Sequence, residues 1–463
     1  MGFVMCFKCL KRLCKKEERI TVLLGAGACL ELKSKDGFKP TTENITNAIL
    51  NNHPKTIDIG MVEREVTLLN DIFDRICLNY HHRPLNPKDP HSASKVHFEI
   101  LFYLLEILET YERSWVASTA PIHTNKFASF VTRGFNYNKD DLHPASRHLI
   151  DTIIQCVRKY DDVFADTEND WYREFWKSNK REWDVFNLNY DTTIEQSITE
   201  YEDGYDDIAE QEGFQRFNIR KLMENRRGLS TINHIHGCLL YGNDRYRSEY
   251  INLDSYDYDH QDMYKWPDTE TAYKMWHGAY SSGSSTQDGS FIVQGPIITG
   301  LNKTEKVTCL PYDIYRNNFM QSIYKNRGLL IAGYSFGDYY INKMFYRMHQ
   351  MHGDDCRVVL IDYWNIAKFI MESESDDDAK PITDKDLSPR LFEHYFDNGC
   401  GNIEAMMFVK RVVHHDWDVW KHFKTLSLTG PMVSDNGNMM LFIGGMRKAI
   451  ENHSKEIMEF LRN

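Results

Sequence analysis

The run Ile20 to Leu24 (ITVLL), followed at once by Gly25-Ala26-Gly27, is the feature that most narrows the folds open to this chain. Five consecutive apolar or β-branched residues leave no polar face, so the run reads as a strand buried on both sides, as in a parallel sheet under helices. The glycines supply a tight turn into a following helix. A strand, a glycine turn and a helix N-terminus together present outward-pointing N–H groups to a phosphate. Taken alone the signal is short, because the dinucleotide fingerprint wants a glycine or small residue three places after Gly27 and Leu30 stands there. A plain strand-to-helix turn remains open at this point.

The same ending recurs along the chain. Trp183 to Tyr190 (WDVFNLNY) reads as a strand with Asn189 and Asp191 at its carboxyl end, and a helix follows over Asp191 to Glu200. Thr231 to Gly237 (TINHIHG) delivers His234 and His236 on one face and stops at glycine. Phe291 to Gly300 is a further strand candidate. Leu329 to Gly333 (LLIAG) breaks at Gly333-Tyr334-Ser335 into a helix from about Asp338, and Arg357 to Asp362 (RVVLID) ends on a carboxylate. If these strands are parallel neighbours, Gly25/Gly27, Asn189/Asp191, His236/Gly237 and Gly333/Ser335 meet in one crevice at the strands' carboxyl ends, where open α/β sheets bind ligands. The reading is a nucleotide whose phosphates meet the glycine turns, with Asn189, Asp191 and Ser335 holding ribose hydroxyls and phosphate. His236 is the nearby side chain able to move a proton at neutral pH, and His234 is its competitor. Asn189 as a turn-former and Asp191 and Ser335 as helix caps are the plain alternatives.

Around these strands the pattern is mainly helical. A helix is predicted from about Glu43 to Leu50, capped by Thr41 or Thr42, and apolar residues repeat at three and four over Val62–Leu78, His97–Arg113 and His143–Tyr160. Residues from about 61 to 180 therefore form a helical insertion, and Trp115, Trp171, Tyr172, Phe175 and Trp176 belong to its core. Gly242–Ser290 is polar and patternless and reads as long surface loops. An acidic stretch from Glu372 to Asp386 reads as a solvated linker. Beyond it, residues 390–463 form a mainly helical extension, with helical patterns at Trp417–Leu426 and Met439–Leu461 and a candidate strand at Met406–Val413. The first 19 residues are a basic amphipathic arm, with Phe3, Phe7 and Leu10 on one stripe among lysines and arginines.

Bulk composition removes several function classes. Lys+Arg of 55 against Asp+Glu of 67 leaves a net charge of −12, which repels polyanions, so no direct nucleic-acid binding is expected. The 10 cysteines are scattered without the paired spacing of a disulfide framework, which fits a reducing, cytoplasmic setting. Cys6 and Cys9 form a CxxC without a second pair, so no metal is expected. No apolar run approaches bilayer length, and no membrane role is expected.

With these motifs in order, the chain resembles a sirtuin-like domain. Gly25-Ala26-Gly27 matches the sirtuin glycine turn, Asn189-Tyr190-Asp191 its Asn-x-Asp element and His236-Gly237 its His-Gly pair. Gly333-Tyr334-Ser335-Phe336 resembles its later glycine-serine loop, and Asp362 falls near the adenosine end. The forms are closer to the bacterial sirtuin-like NAD hydrolases of antiphage defence than to protein deacylases. The four-cysteine zinc ribbon of the deacylases is missing, Cys238 and Cys309 being the cysteines of the following hundred residues, and Phe38-Lys39-Pro40-Thr41 stands where they carry Pro-Asp-Phe-Arg.

The resemblance implies an α/β fold with a Rossmann-like parallel sheet, an NAD-binding catalytic domain over about 20–370, and the helical insertion and C-terminal extension as additions. It implies NAD as substrate, cleaved at the nicotinamide glycosidic bond. His236 is then the base acting on a ribose hydroxyl or water, and Asn189 positions water and ribose. Gly25, Ala26, Gly27, Asp191, Gly333, Ser335 and Asp362 contact the cofactor. A hydrolase of this kind must be gated, so a homo-oligomer or a sensor or activator partner is expected, partly through the N-terminal arm. The alternatives are an inactive sirtuin-like module that senses a nucleotide and, less in keeping with the residues, a nicotinamide-dependent dehydrogenase.

Overall fold

The computed structural model describes residues 19–51, 59–79, 84–89, 92–114, 137, 139–178, 183–208, 213–225, 228–242, 251–252, 263–278, 283–285, 291–293, 296–300, 303–307, 310–364, 403–413, 419–423, 427 and 430–462. The arm with its CxxC, Trp115 and the acidic stretch at 372–386 lie outside them.

The strands predicted from apolar runs form the middle of one sheet. In chain order they are β1 (Ile20–Leu24), β2 (Trp183–Asn187), β3 (Tyr201–Glu202), β4 (Ser230–His234), β5 (Gly328–Ala332), β6 (Arg357–Ile361), β7 (Met432–Val433) and β8 (Met439–Phe442). Their spatial order is β7-β8-β6-β5-β1-β2-β4-β3, and every pairing but β7–β8 is parallel. Side chains alternate between two cores, as a period of two requires. Val22, Leu24, Val185, Leu330, Val359 and Met440 face one, while Leu23, Phe186, Ile331, Val358, Leu360 and Leu441 face the other. Both faces are dry, which explains why the runs lack a polar register. The fold is thus α/β with a Rossmann-like, mostly parallel sheet flanked by helices.

The principal helices are α1 (Thr42–Asn51), α2 (Ile59–Leu78), α3 (Phe98–Ser114), α4 (Lys139–Arg158), α5 (Asp170–Ser178), α6 (Thr193–Ser197), α7 (Thr269–Gly278), α8 (Tyr312–Lys325), α9 (Tyr339–His352), α10 (Ile403–Val413) and α11 (Met446–Arg462). On the first face α5 brings Trp171, Tyr172, Phe175 and Trp176, and α11 brings Ile450, Ile457 and Leu461. On the second, α8, α9 and α10 supply Phe319, Phe345 and Phe408. Helices α1 to α4 bury their apolar stripes against one another in a third core, from Ile45 to Val157, which also takes in Leu239 and Ile297 from the sheet's loops. The insertion therefore has its own core and docks where β4 ends, while α5 belongs to the sheet.

Several local expectations change. The Met439–Leu461 periodicity is split: Met439–Phe442 is strand β8 and α11 begins at Met446. Four buried apolar residues between β6 and β7 gain ladders on both edges and packing on both faces, and this outweighs helical spacing. Met406–Val413 is helical, because Phe408, Val409, Val412 and Val413 form a stripe on α9. Trp417–Leu426 shows one described 3₁₀ turn, Val419–His422. Within Gly242–Ser290 lie strand pair Tyr241–Gly242/Tyr264–Lys265 and helix α7, closed by Phe214, Tyr264, Trp266 and Ala272. Phe291–Val293 joins a small separate sheet instead of the main one. Beyond it, Ile297 bridges Gly237.

Candidate active site

Strands β5, β1, β2 and β4 are consecutive neighbours, so their carboxyl ends open on one side as expected. The chain runs from β1 outward through β2 and β4, then returns to β5 on the other side of β1. That reversal makes a crevice between β1 and β5, the place where doubly wound sheets accept ligands.

At this crevice the two glycine turns touch. Gly27 N–H donates to Gly333 O at 2.8 Å and Gly25 N–H to Ala332 O at 2.9 Å. A Cβ on Gly27 would stand 2.6 Å from Gly333 Cα, and one on Gly333, at φ +60°, 2.0 Å from Ala28 N. Close backbone approach thus explains these glycines without a ligand. The outward N–H reading is corrected here, since the Gly25, Gly27 and Ala28 amides donate inside the protein. The helix expected after the turn is a four-residue 3₁₀ turn, Ala26–Cys29, too short for a useful dipole. Ala26 and Ser335 remain exposed at the rim.

Asn189 follows β2 in an irregular segment and is 9% exposed. Its Nδ2 donates to Gly25 O at 3.0 Å, and its backbone N–H to Asn187 Oδ1 at 3.0 Å. The carboxamide thereby ties β2 to the glycine turn. Asp191 is buried behind it, with Oδ1 accepting from the Thr193 N–H at 3.0 Å and the Thr193 hydroxyl at 2.5 Å. Burial pushes its carboxyl above the usual range against those bonds. Asp191 thus has the plain cap-like role in this structure.

His236 and His234 part company. Strand β4 ends at His234, and Ile235–His236 turn before Gly237, so the two rings do not share a strand face. Gly237 has φ +102°, and a Cβ there would stand 2.1 Å from Pro296 O. Cys238 N–H donates to that same oxygen at 2.9 Å, and Ile298 N–H donates to His236 O at 2.6 Å. Residues 296–298 therefore clamp the His-Gly turn. The His236 imidazole, 13% exposed, places Nε2 3.0 Å from Asp338 Oδ2. Asp338 is also the N-cap of α9, accepting from Tyr340 N–H at 2.8 Å and Ile341 N–H at 3.2 Å. Burial would raise its pKa, but His236 and the helix amide outweigh this and hold it well below the carboxylate range. An ionised carboxylate only accepts, so Nε2 carries a proton, and in the neutral ring the lone pair lies on Nδ1.

The loop between β5 and Asp338 is held by its own hydrogen bonds. Tyr334 OH bonds Asn342 Oδ1 at 2.9 Å and accepts from Asp338 N–H at 3.1 Å, and Asn342 Nδ2 donates to Phe336 O at 2.7 Å. Phe336 has φ +57°, an unusual conformation for an aromatic residue, and its ring packs at a tilt against Tyr334 with centroids 5.0 Å apart. Asp362 directly follows β6, with Oδ1 accepting from Tyr363 N–H at 2.8 Å and Oδ2 from Trp364 Nε1 at 3.1 Å. Burial raises its pKa.

Residues 184–381 match the family model of the SIR2-like domain. The chain carries a sirtuin-like domain. The matched residues take in Asn189, Asp191, His236, Gly333, Ser335 and Asp362 and stop short of Gly25–Gly27, which the structure brings against Gly333. No curated protein matches the chain. No helix among the described residues is long and apolar enough to cross a membrane.

Two groups at the sirtuin-like site were not singled out from sequence. Asp338 was visible only as a helix start, although a capping carboxylate after a Gly-Ser loop is the signal that marks it. Glu99 comes from the first turn of α3, with Oε2 3.5 Å from Lys303 Nζ and its side chain 36% exposed. Burial would raise its pKa, but Lys303, His97 and His236 outweigh it and lower it, so its charge is felt at the site. No local pattern in α3 announces this. Among the described residues, the donor set that most resembles a metal site is Glu195, His234 and Cys238, whose ligand atoms lie within 4.8 Å of one another.

Proposed function

We propose that this chain is an NAD glycohydrolase, releasing nicotinamide and ADP-ribose. The observation that carries the reading is the His236–Asp338 couple beside the β1/β5 crevice, with Asn189 fastened to the glycine turn across it. Nicotinamide is already a cationic leaving group, so the reaction asks for little covalent help. Its transition state is oxocarbenium-like, as in glycoside hydrolysis. His236 Nδ1 takes a proton from a ribose hydroxyl or from water, Asp338 steadies the imidazolium that forms, and Asn189 orients ribose and water. General-base help of this kind is worth about 10² to 10⁴ in rate. The Glu99 carboxylate adds negative potential where positive charge develops.

The residues assigned to NAD are Gly25, Ala26, Gly27, Asp191, Gly333, Ser335 and Asp362. Of these, Ala26 and Ser335 offer the most open surface, while Asp191 and Asp362 already have partners within the protein. That saturation favours the second reading, a sirtuin-like module that holds a nucleotide without turning it over.

The finer proposal, from the resemblance of the motifs, is a gated effector of bacterial antiviral defence acting in the cytoplasm by NAD depletion. Gating would come from a homo-oligomer or an activator protein contacting the arm, the insertion or the C-terminal extension. Purified full-length protein is incubated with NAD and assayed for nicotinamide, alone and with candidate activators. Release that disappears in His236→Ala supports the first reading. NAD binding without release under all conditions supports the second.

A further inference from the structure

Directly behind Asn189 lies a charged couple that the proposed chemistry does not use. His234 is 1% exposed and cannot meet a substrate. Its Nε2 is 2.5 Å from Glu195 Oε1, and its Nδ1 is 3.3 Å from the main-chain oxygen of Asn189. A carboxylate and a carbonyl only accept, so both ring nitrogens carry protons and the ring is an imidazolium. Other groups surround it. Cys238 Sγ lies 4.0 Å from the same Glu195 oxygen, Tyr241 meets the ring edge-on with centroids 6.0 Å apart, and Lys265 and Asp191 act on Glu195 and His234 through space. Burial opposes the charge, but the hydrogen-bonded Glu195 carboxylate outweighs it and holds His234 well above its ordinary pKa. Burial keeps the Cys238 thiol raised and neutral, so Glu195 is the counter-charge.

A zinc ion on Glu195, His234 and Cys238 is the competing account. Ligands about 2.0–2.3 Å from a tetrahedral ion stand more than ~3 Å apart. The 2.5 Å between Nε2 and Oε1 is a hydrogen-bond distance, which a proton fits and a cation does not.

The segment that presents Asn189 has no helix or ladder of its own, so its backbone is held one group at a time. Leu188 N–H donates to Leu24 O at 2.9 Å, Leu239 N–H donates to Tyr190 O at 2.9 Å, and the Asn189 carbonyl is left to His234. We propose that His234 and Glu195 are a positioning couple for Asn189: Glu195 orients the ring, and the ring's Nδ1–H fixes the Asn189 carbonyl so that the carboxamide stays locked on Gly25. Its catalytic consequence rests on the glycohydrolase reading, whereas its structural consequence does not.

The test uses the full chain with His234→Asn, which keeps a donor near the place of Nδ1, and His234→Gln, which keeps one only near Nε2. In nitrogen-15 spectra, wild-type His234 is expected to stay doubly protonated at pH 8, and in Glu195→Gln it should lose a proton within the neutral range. The Asn189 side-chain amide signals should move in His234→Gln and stay in place in His234→Asn. Both substitutions leave the buried Glu195 carboxylate without its counter-charge and should lower the melting temperature alike, whereas in NAD turnover His234→Gln should lose about 30-fold in kcat with KM within threefold and His234→Asn should recover most of that loss. A neutral His234 at pH 7, or Asn189 signals that respond alike to both substitutions, would overturn the proposal. Stoichiometric zinc whose removal shifts those signals would also overturn it, in favour of the metal. A chain that releases no nicotinamide removes the glycohydrolase reading and leaves the spectroscopic arms to decide this one.

Discussion

His236 Nε2 and Asp338 Oδ2 stand 3.0 Å apart, although 101 residues separate them in the chain. One is held by the clamp of residues 296–298 and the other by the start of α9, so the couple reports on both supports. Asp338→Asn keeps the cap but presents no ionised acceptor. It is expected to lower nicotinamide release about 10²-fold, with NAD affinity little changed. The native pKa of Asp338 is depressed, so its stabilising contribution is present above the unfolded value of about 3.9 and is lost as pH falls toward the native value. Denaturant unfolding between pH 3 and pH 6 should therefore show a smaller acid-side loss of stability in Asp338→Asn than in wild type.

Asn189→Ala removes the bond to Gly25 O and the group assigned to ribose and water. Nicotinamide release should fall below detection, while one lost hydrogen bond costs about 1 kcal/mol and lowers Tm by a few degrees. A variant that is inactive because it is unfolded would show itself in the same melt.

Glycines with similar φ should differ sharply in tolerance. Gly333→Ala, at φ +60°, drives a Cβ into the Ala28 backbone at 2.0 Å and should prevent stable folding. Gly37→Ala, at φ +72° with nothing within 4 Å, meets only the left-handed conformational cost of about 1–2 kcal/mol. Soluble yield and Tm of the two variants check this.

Lys306 and Glu106 form a buried pair, 1% and 0% exposed, joining α3 to the segment after Thr299, whose carbonyl accepts from Lys306 Nζ at 2.6 Å. Lys306→Met leaves a carboxylate buried without its counter-charge and should cost about 3–5 kcal/mol. The double variant Lys306→Met/Glu106→Leu should regain much of that loss, as measured by denaturant midpoint.

Helices α2, α3 and α4 and the strands at 20–24, 183–187, 230–234, 328–332 and 357–361 were legible because their apolar periods are clean, several of them ending at a glycine or a polar residue. Strand β8 was not, because MMLF followed by a helical repeat has the same spacing as a longer helix. Only a free edge on β6 distinguishes the two. The glycine turn was legible as a turn, but its tightness comes from Gly333, about three hundred residues later.

By itself the sequence determined the α/β class, the strand ends and the polar residues that would stand there, since those depend on local period and turn chemistry. Tertiary structure alone decided that β5 returns beside β1, that Asp338 faces His236 and that Glu195 turns His234 away from the crevice. Two histidines separated by one residue carry no local mark of their roles. Their partners lie in other elements, and a carboxylate's reach of a few ångströms is set by packing, which no stretch of a few residues encodes.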